Sequence, residues 1–215
     1  MSALEMKNIT KTYPGVRALD NVSFEVAKGE VHALVGENGA GKSTLMHILG
    51  GVYQADSGRV FMDGQEVNFA DPLTATRHGI SVVFQELSLS ENLSIAENIF
   101  ANRQPTMFGG LVDWDELYAQ AGGILSLFKW DIAPETPVGE LSTAELQAVE
   151  IEMLFTNIRR LRDEGLSIIY ISHHLSEVFQ IADRVTVLRD GKLVETCQVA
   201  DVTEEDLFKK MVGRE

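Results

Sequence analysis

Gly36-Glu37-Asn38-Gly39-Ala40-Gly41-Lys42-Ser43-Thr44 fits the pattern G-x-x-x-x-G-K-[ST] at every fixed position. It follows the apolar run Val31-His32-Ala33-Leu34-Val35 and leads into Leu45-Met46-His47-Ile48-Leu49, so strand, glycine-rich turn and helix are expected in that order. Glycines let the backbone curl until successive N–H groups point inward, and a helix N-terminus behind them adds positive potential suited to phosphate. On this reading Gly36, Glu37, Asn38, Gly39, Ala40, Gly41 and Thr44 cradle phosphate oxygens. Lys42 reaches the β- and γ-phosphates and the Ser43 hydroxyl ligates Mg²⁺. The plainer alternative is a strand-to-helix turn that binds nothing.

The surrounding composition is that of an ordinary globular domain, with 45% hydrophobic and 23% charged residues in 215. Eighteen basic against 32 acidic residues give a formal charge of −14, which disfavours nucleic acid and anionic membrane surfaces as nonspecific partners. A phosphate ligand must then be held by local N–H groups and Lys42. Cys197, the single cysteine, has no partner for an internal disulfide, which suits a reducing compartment. The first eleven residues are too polar for a signal peptide, and no stretch approaches the roughly 18 apolar residues of a membrane helix. A soluble, cytoplasmic chain is expected.

Outward from the loop, residues 4–13 and 22–26 read as two antiparallel strands around Pro14-Gly15. Tyr13 stands just before that turn, where it either packs or stacks on a nucleotide base. Residues 58–67 read as a hairpin turning on Asp63-Gly64, and 73–78 as a short helix opened by Asp71-Pro72. The run Ile80 to Phe84 reads as a buried strand ending on Gln85, and Ser167 to Ser172 as another ending on His173. Polar residues at the carboxyl ends of strands in an open α/β sheet sit where ligands bind. Both Gln85 and His173 are therefore candidates, against the alternative of plain polar strand ends.

From 92 to 137 the periodicity turns helical, with Trp114, Leu117, Tyr118, Ala121, Leu125 and Phe128 forming a core face. Ser142 and Glu145 have capping-box spacing, which explains Ser142 without any function, and Met153 to Leu161 reads as a further helix stopped by Gly165. Residues 184–196 form a hairpin around Asp190-Gly191, and Thr203 with Asp206 caps a last helix.

In order and spacing these segments resemble the ATP-binding subunits of ABC transporters, over nearly the whole chain. The matching pieces are Tyr13, the loop from Gly36 to Thr44, Gln85, Leu141-Ser142-Thr143-Ala144-Glu145 and His173. The resemblance implies an α/β fold: a P-loop NTPase core with a mostly parallel sheet (31–51, 80–86 and 139–215), an antiparallel β lobe (1–30 and 52–70) and a helical lobe (92–137), together one cassette. It further implies that Tyr13 stacks on adenine, that Gln85 joins Ser43 on Mg²⁺, and that His173 acts at the γ-phosphate. Ser142 would contact ATP held by an opposing cassette. The signature Leu-Ser-Thr-Ala-Glu, together with Ile171-Ser172-His173-His174-Leu175 and Met211-Val212-Gly213-Arg214, looks like the first half of a bacterial monosaccharide importer ATPase. That implies ATP and Mg²⁺, a second cassette, membrane permease subunits, an indirect periplasmic sugar-binding partner, no nucleic acid, and a place on the inner face of the cell membrane.

One expected piece is missing. A P-loop ATPase needs an acidic residue after an apolar strand to hold Mg²⁺ through water, with a carboxylate beside it for the attacking water. Asp63 and Asp190 follow strands but precede glycine and fit hairpin turns better; Glu86 follows the strand that the resemblance assigns to Gln85. The text runs from Gln147-Ala148-Val149-Glu150-Ile151 straight into Glu152-Met153-Leu154-Phe155, where helix end, strand, loop and helix start would take roughly 25–35 residues. Either the polypeptide lacks that segment, leaving a cassette that binds nucleotide without efficient turnover, or the molecule carries residues there that this sequence does not. A separation well above about 3.8 Å between the Cα atoms of any two consecutive residues from 149 to 153 would reveal missing chain.

Overall fold

The computed structural model describes residues 2–81, 89–101, 103–127 and 132–213. The expectations placed on the strand at 82–84, on Gln85 and on Phe128 lie outside them. In chain order the elements are β1 (Ser2–Tyr13), β2 (Val16–Ala27), β3 (Val31–Val35), α1 (Lys42–Leu49), β4 (Ser57–Met62), β5 (Gln65–Val67), α2 (Pro72–Arg77), α3 (Ile95–Ile99), α4 (Trp114–Leu127), α5 (Thr143–Asp163), β6 (Ile168–Ile171), α6 (Leu175–Ile181), β7 (Arg184–Arg189), β8 (Lys192–Gln198) and α7 (Glu204–Val212). The chain divides into two compact units, one of residues 1–83 with 158–215 and one of residues 84–157.

In the first unit, alternating apolar residues place Leu4, Met6 and Ile9 of β1 and Val22, Phe24 and Val26 of β2 on one buried face. These strands pair antiparallel around the expected turn, with Tyr13 opposite Val16, and β4 and β5 extend the sheet in the order β2-β1-β4-β5. The second sheet has the order β6-β3-β7-β8: β6 and β7 flank β3 in parallel, and β8 returns antiparallel on β7. All five residues of β3 are buried, as a central parallel strand covered on both faces requires. Leu34 joins the cluster that β1, β2 and α1 share, while Ala33 and Val35 join Val178 of α6 and Leu207 and Met211 of α7.

Two core expectations are corrected. The sequence reads β6 as buried, yet all four of its residues are half-exposed. Among the described residues β6 pairs only with β3, so its other side has no described strand beside it, and a strand paired on one side keeps part of its surface in solvent. In the second unit Leu117, Ala121 and Leu125 of α4 are buried as expected, but Trp114 is 45% exposed. Trp114 opens the helix, and its ring lies tilted on Tyr118 at 5.8 Å between centroids, outside the core.

The stretch around 150–152 is also different. Residues 143–163 form one unbroken helix, so the two helices expected on either side of a missing segment are a single α5, and 149 to 153 are consecutive helical residues. Its start carries the expected capping box: the Ser142 N–H and hydroxyl both donate to Glu145 Oε2, at 2.7 and 2.6 Å, and the Glu145 N–H returns to Ser142 Oγ at 3.4 Å.

Candidate functional site: the phosphate loop and its supports

The strand–loop–helix unit forms as its residues require. β3 ends at Val35, the loop follows, and Gly41 takes φ 104° as the residue that opens α1. A Cβ on Gly41 would stand 2.6 Å from the Ala18 carbonyl oxygen, and one on Gly36 would stand 2.3 Å from the Leu188 carbonyl oxygen. Both positions therefore need glycine for close backbone approach as well as for curvature. Within the loop the Ala40 N–H donates to Glu37 O at 3.1 Å. The first helical bond is from Leu45 N–H to Gly41 O at 2.9 Å, so the N–H groups of Lys42, Ser43 and Thr44 precede the helical ladder and point toward the loop. Together with the helix dipole they offer an anion donors and positive potential.

Glu37, Asn38, Gly39 and Ser43 are exposed, Lys42 and Thr44 are half-buried, and Gly36 and Ala40 are buried. The Lys42 ammonium donates to Gly36 O at 2.7 Å and to Glu37 O at 3.0 Å, curling over its own loop. Burial holds its pKa below the ordinary lysine value. Among the described residues no group of three or more His, Cys, Asp or Glu side chains could hold a metal ion. Ser43 is the member of the loop with a hydroxyl open to solvent, suited to share a cation with phosphate oxygens.

β6 and β7 run parallel to β3, with Leu34 opposite Ile171 and Val35 opposite Val187, so all three strands deliver their carboxyl ends to the side of the phosphate loop. His173 emerges there directly after β6, its ring against His174 at 3.9 Å. The turn that carries it is tied down by Glu177 of α6, whose Oε2 accepts from the Tyr170 hydroxyl at 2.7 Å and the Ser172 hydroxyl at 2.5 Å. Ser172 Oγ in turn accepts the His174 N–H at 3.0 Å. Burial first, and then the Glu177 carboxylate, push the Tyr170 hydroxyl's pKa well up, so it stays a protonated donor.

Tyr13 ends β1 half-buried and meets Tyr53 edge-on at 5.9 Å, while Tyr53 meets His47 of α1 edge-on at 5.2 Å. This aromatic chain links the hairpin tip to the helix that carries the loop. Tyr53 and His47 had no sequence signal beyond being aromatic near the loop, because their role depends on a long-range approach. The same holds for His32. Fully buried in β3, it contacts Glu30 Oε1 through Nδ1 at 2.9 Å and Thr186 Oγ1 through Nε2 at 2.8 Å, and Thr186 meets Thr196 at 2.7 Å.

Thus the first unit brings Lys42, Ser43 and His173 to one end of one sheet, with Tyr13 joined to α1 through Tyr53. Ser142 belongs to the other unit, at the start of α5, where its hydroxyl is engaged by Glu145. Gln85 lies outside the described residues.

A glycine-rich loop between a central parallel strand and a helix N-terminus, with its lysine and serine in place, defines a P-loop nucleotide-binding protein. The family model for ABC transporters matches residues 19–162, and the chain belongs to that family. It is 46% identical over 238 residues to the putative ribose/galactose/methyl galactoside import ATP-binding protein 2 of Burkholderia cenocepacia, covering 99% of this chain and 46% of that protein. It is 43% identical over 239 residues to the xylose import ATP-binding protein of Geobacillus kaustophilus, covering 99% and 47%. The chain thus spans about half the length of these relatives. A nucleotide-free ATP-binding cassette from an ABC transporter shares the fold, with a TM-score of 0.60 at 24% identity over 99% of this chain and 96% of that one. The 238-residue alignment is longer than the 215-residue chain, so the Burkholderia protein has at least 23 residues within the aligned span that this chain lacks.

Proposed function

We propose that this chain is the ATP-binding cassette of a bacterial sugar importer, closing on a second cassette around ATP and reopening after hydrolysis. The observation that carries the reading is the phosphate loop itself, set at the carboxyl end of a parallel sheet in a chain closely related to import ATP-binding proteins. Catalysis in such a site is positioning and charge stabilisation. The loop N–H groups from Gly36 to Thr44 and the Lys42 ammonium hold the phosphates, and Tyr13 stacks on the base. Ser43, with Gln85, holds Mg²⁺, which when bound neutralises charge on the β- and γ-phosphate oxygens. His173, fixed by the Glu177 network, faces the γ-phosphate. Ser142 serves the ATP of the opposing cassette, exchanging its bond to Glu145 for one to phosphate. The cassette sits on the cytoplasmic face of the membrane against permease subunits, which connect it across the membrane to a periplasmic sugar-binding protein.

A second reading is favoured by one observation. Relatives carry at least 23 residues that this chain lacks, and the sequence has no apolar strand ending in the acidic pair that a P-loop ATPase uses. On that reading the 215-residue chain binds nucleotide without turnover. The deciding experiment measures ATP binding and phosphate release on protein whose intact mass matches 23.7 kDa, with and without Lys42→Ala. Lys42→Ala is expected to weaken ATP binding on the order of tenfold to a hundredfold; equal affinities would refute the role given to Lys42. Binding without phosphate release selects the second reading.

A further inference from the structure

Two Asp-Gly turns close hairpins in the first unit, and they have nearly the same backbone. Asp63-Gly64 joins β4 to β5 with φ of 48° and 78°, and Asp190-Gly191 joins β7 to β8 with φ of 51° and 72°. Positive φ at both central residues is the two-residue hairpin turn that matches strand twist, and it accounts equally for both dipeptides. Their surroundings differ. A Cβ on Gly64 would meet nothing within 4 Å. A Cβ on Gly191 would stand 2.8 Å from the Ala18 carbonyl oxygen and 3.2 Å from that of Arg17.

Gly191 also bonds in two directions. Its N–H donates to the carbonyl oxygen of Ala40, inside the phosphate loop, at 3.2 Å. Its own carbonyl accepts the Asp20 N–H of β2 at 2.8 Å. Lys192, the next residue, pairs with the Asp20 carboxylate at 3.4 Å. On the loop side, a Cβ on Gly41 would find Ala18 O at 2.6 Å and the Gly191 Cα at 3.7 Å. The turn is therefore wedged between β2 and the loop residues Ala40 and Gly41, and Leu188 of the same hairpin closes on Gly36 at the loop's other end.

We propose that the Asp190-Gly191 turn positions the phosphate loop, with Gly191 as a positioning residue for a nucleoside triphosphate; this rests on the reading of residues 36–44 as a phosphate site. A cradle of N–H groups is effective in proportion to how firmly its curvature is set before the anion arrives. Ala40 and Gly41 precede α1 directly, so the bond from Gly191 fixes the point where the loop hands over to the helix. A side chain at 191 would push the turn off Ala18 and move Ala40 with it.

The twin turn supplies the control. Gly191→Ala and Gly64→Ala impose the same left-handed strain, expected to lower Tm by roughly 2–8 °C in Gly64→Ala and by more in Gly191→Ala, where the Cβ also meets the Ala18 carbonyl. ATP affinity, measured by equilibrium dialysis at a temperature where both variants are folded, separates them. Gly191→Ala is expected to weaken ATP binding about tenfold or more, as small displacements at a positioned site do, while Gly64→Ala binds like the unsubstituted chain. Equal affinity in the two variants overturns the proposal. A readout on the unsubstituted chain holds even if Gly191→Ala fails to fold: saturating ATP is expected to slow amide exchange at Gly191 about threefold or more and leave Gly64 unchanged. Unchanged exchange at both glycines overturns the proposal as well. Absence of ATP binding by the unsubstituted chain overturns the phosphate-site reading together with this one, whereas binding that survives Gly191→Ala overturns this one alone.

Discussion

His32 shows how a single residue inside the loop-bearing strand can make stability depend on pH. Burial lowers its pKa below 6.5, outweighing the hydrogen bond and charge of Glu30, which act the other way; Arg184 adds to the lowering and Glu25 opposes it. The unfolded chain then takes up the imidazole proton at a higher pH than the folded one. Stability is full above the unfolded pKa and falls as pH drops through it toward the lower folded value. Denaturant unfolding is expected to show stability falling between about pH 8 and about pH 5.5, above the range of ordinary carboxylates, with His32→Gln flattening the slope. An unchanged slope in the variant would remove His32 as the cause. At this scale the sequence was legible where a motif fixes both residue type and spacing, as in Gly36 to Thr44. It was not legible at His32, Glu177 or Gly191, whose partners Thr186, Ser172 and Ala40 lie 154, 5 and 151 residues away in contacts that only the fold creates.

Among the elements, α7 isolates the contribution of a cap. The Thr203 hydroxyl donates to Asp206 Oδ2 at 2.6 Å and accepts the Asp206 N–H at 3.2 Å. That hydroxyl bond, with the Thr203 N–H donating to the same Oδ2 at 3.1 Å, holds the Asp206 carboxyl below its ordinary pKa. Leu207 and Met211 dock α7 on the cluster shared with β3 and β7. Thr203→Ala is expected to cost about 1 kcal/mol, seen as a loss of roughly 2–4 °C in Tm, because the first-turn N–H loses its acceptor. Caps and Asp-Gly turns are readable from the amino-acid order alone, since each is a local code: Thr203 with Asp206, Ser142 with Glu145, Asp63-Gly64. Burial is less readable. Ile168 to Ile171 has the composition of a central strand but among the described residues pairs on one side only, because sheet order depends on which other strands the chain supplies. The continuity of α5 could not be read either, since the family pattern requires a break where the local sequence is simply helical.

At the scale of the molecule, ligand binding should be visible as stability. ATP at about 100 times its Kd adds about 2.7 kcal/mol, or roughly 5–10 °C in Tm for a chain of this size. The shift is expected for the unsubstituted chain and should shrink in Lys42→Ala, as thermal unfolding with a range of ATP concentrations would show. No shift at any concentration would count against a nucleotide site in the first unit.

Lys42 adds a consequence for selectivity. Its ammonium already bonds two carbonyl oxygens of its own loop, Gly36 and Glu37, through two of its three donors. An anion can meet the third donor directly but gains the other two only by displacing those carbonyls, so the loop acts as an internal rival for its own lysine. A doubly charged terminal phosphate wins that contest readily, while a weak or singly charged anion gains little by displacing bonds that already exist. If residues 36–44 hold phosphate as proposed, the curled lysine is expected to work as a threshold that favours polyphosphate over smaller anions.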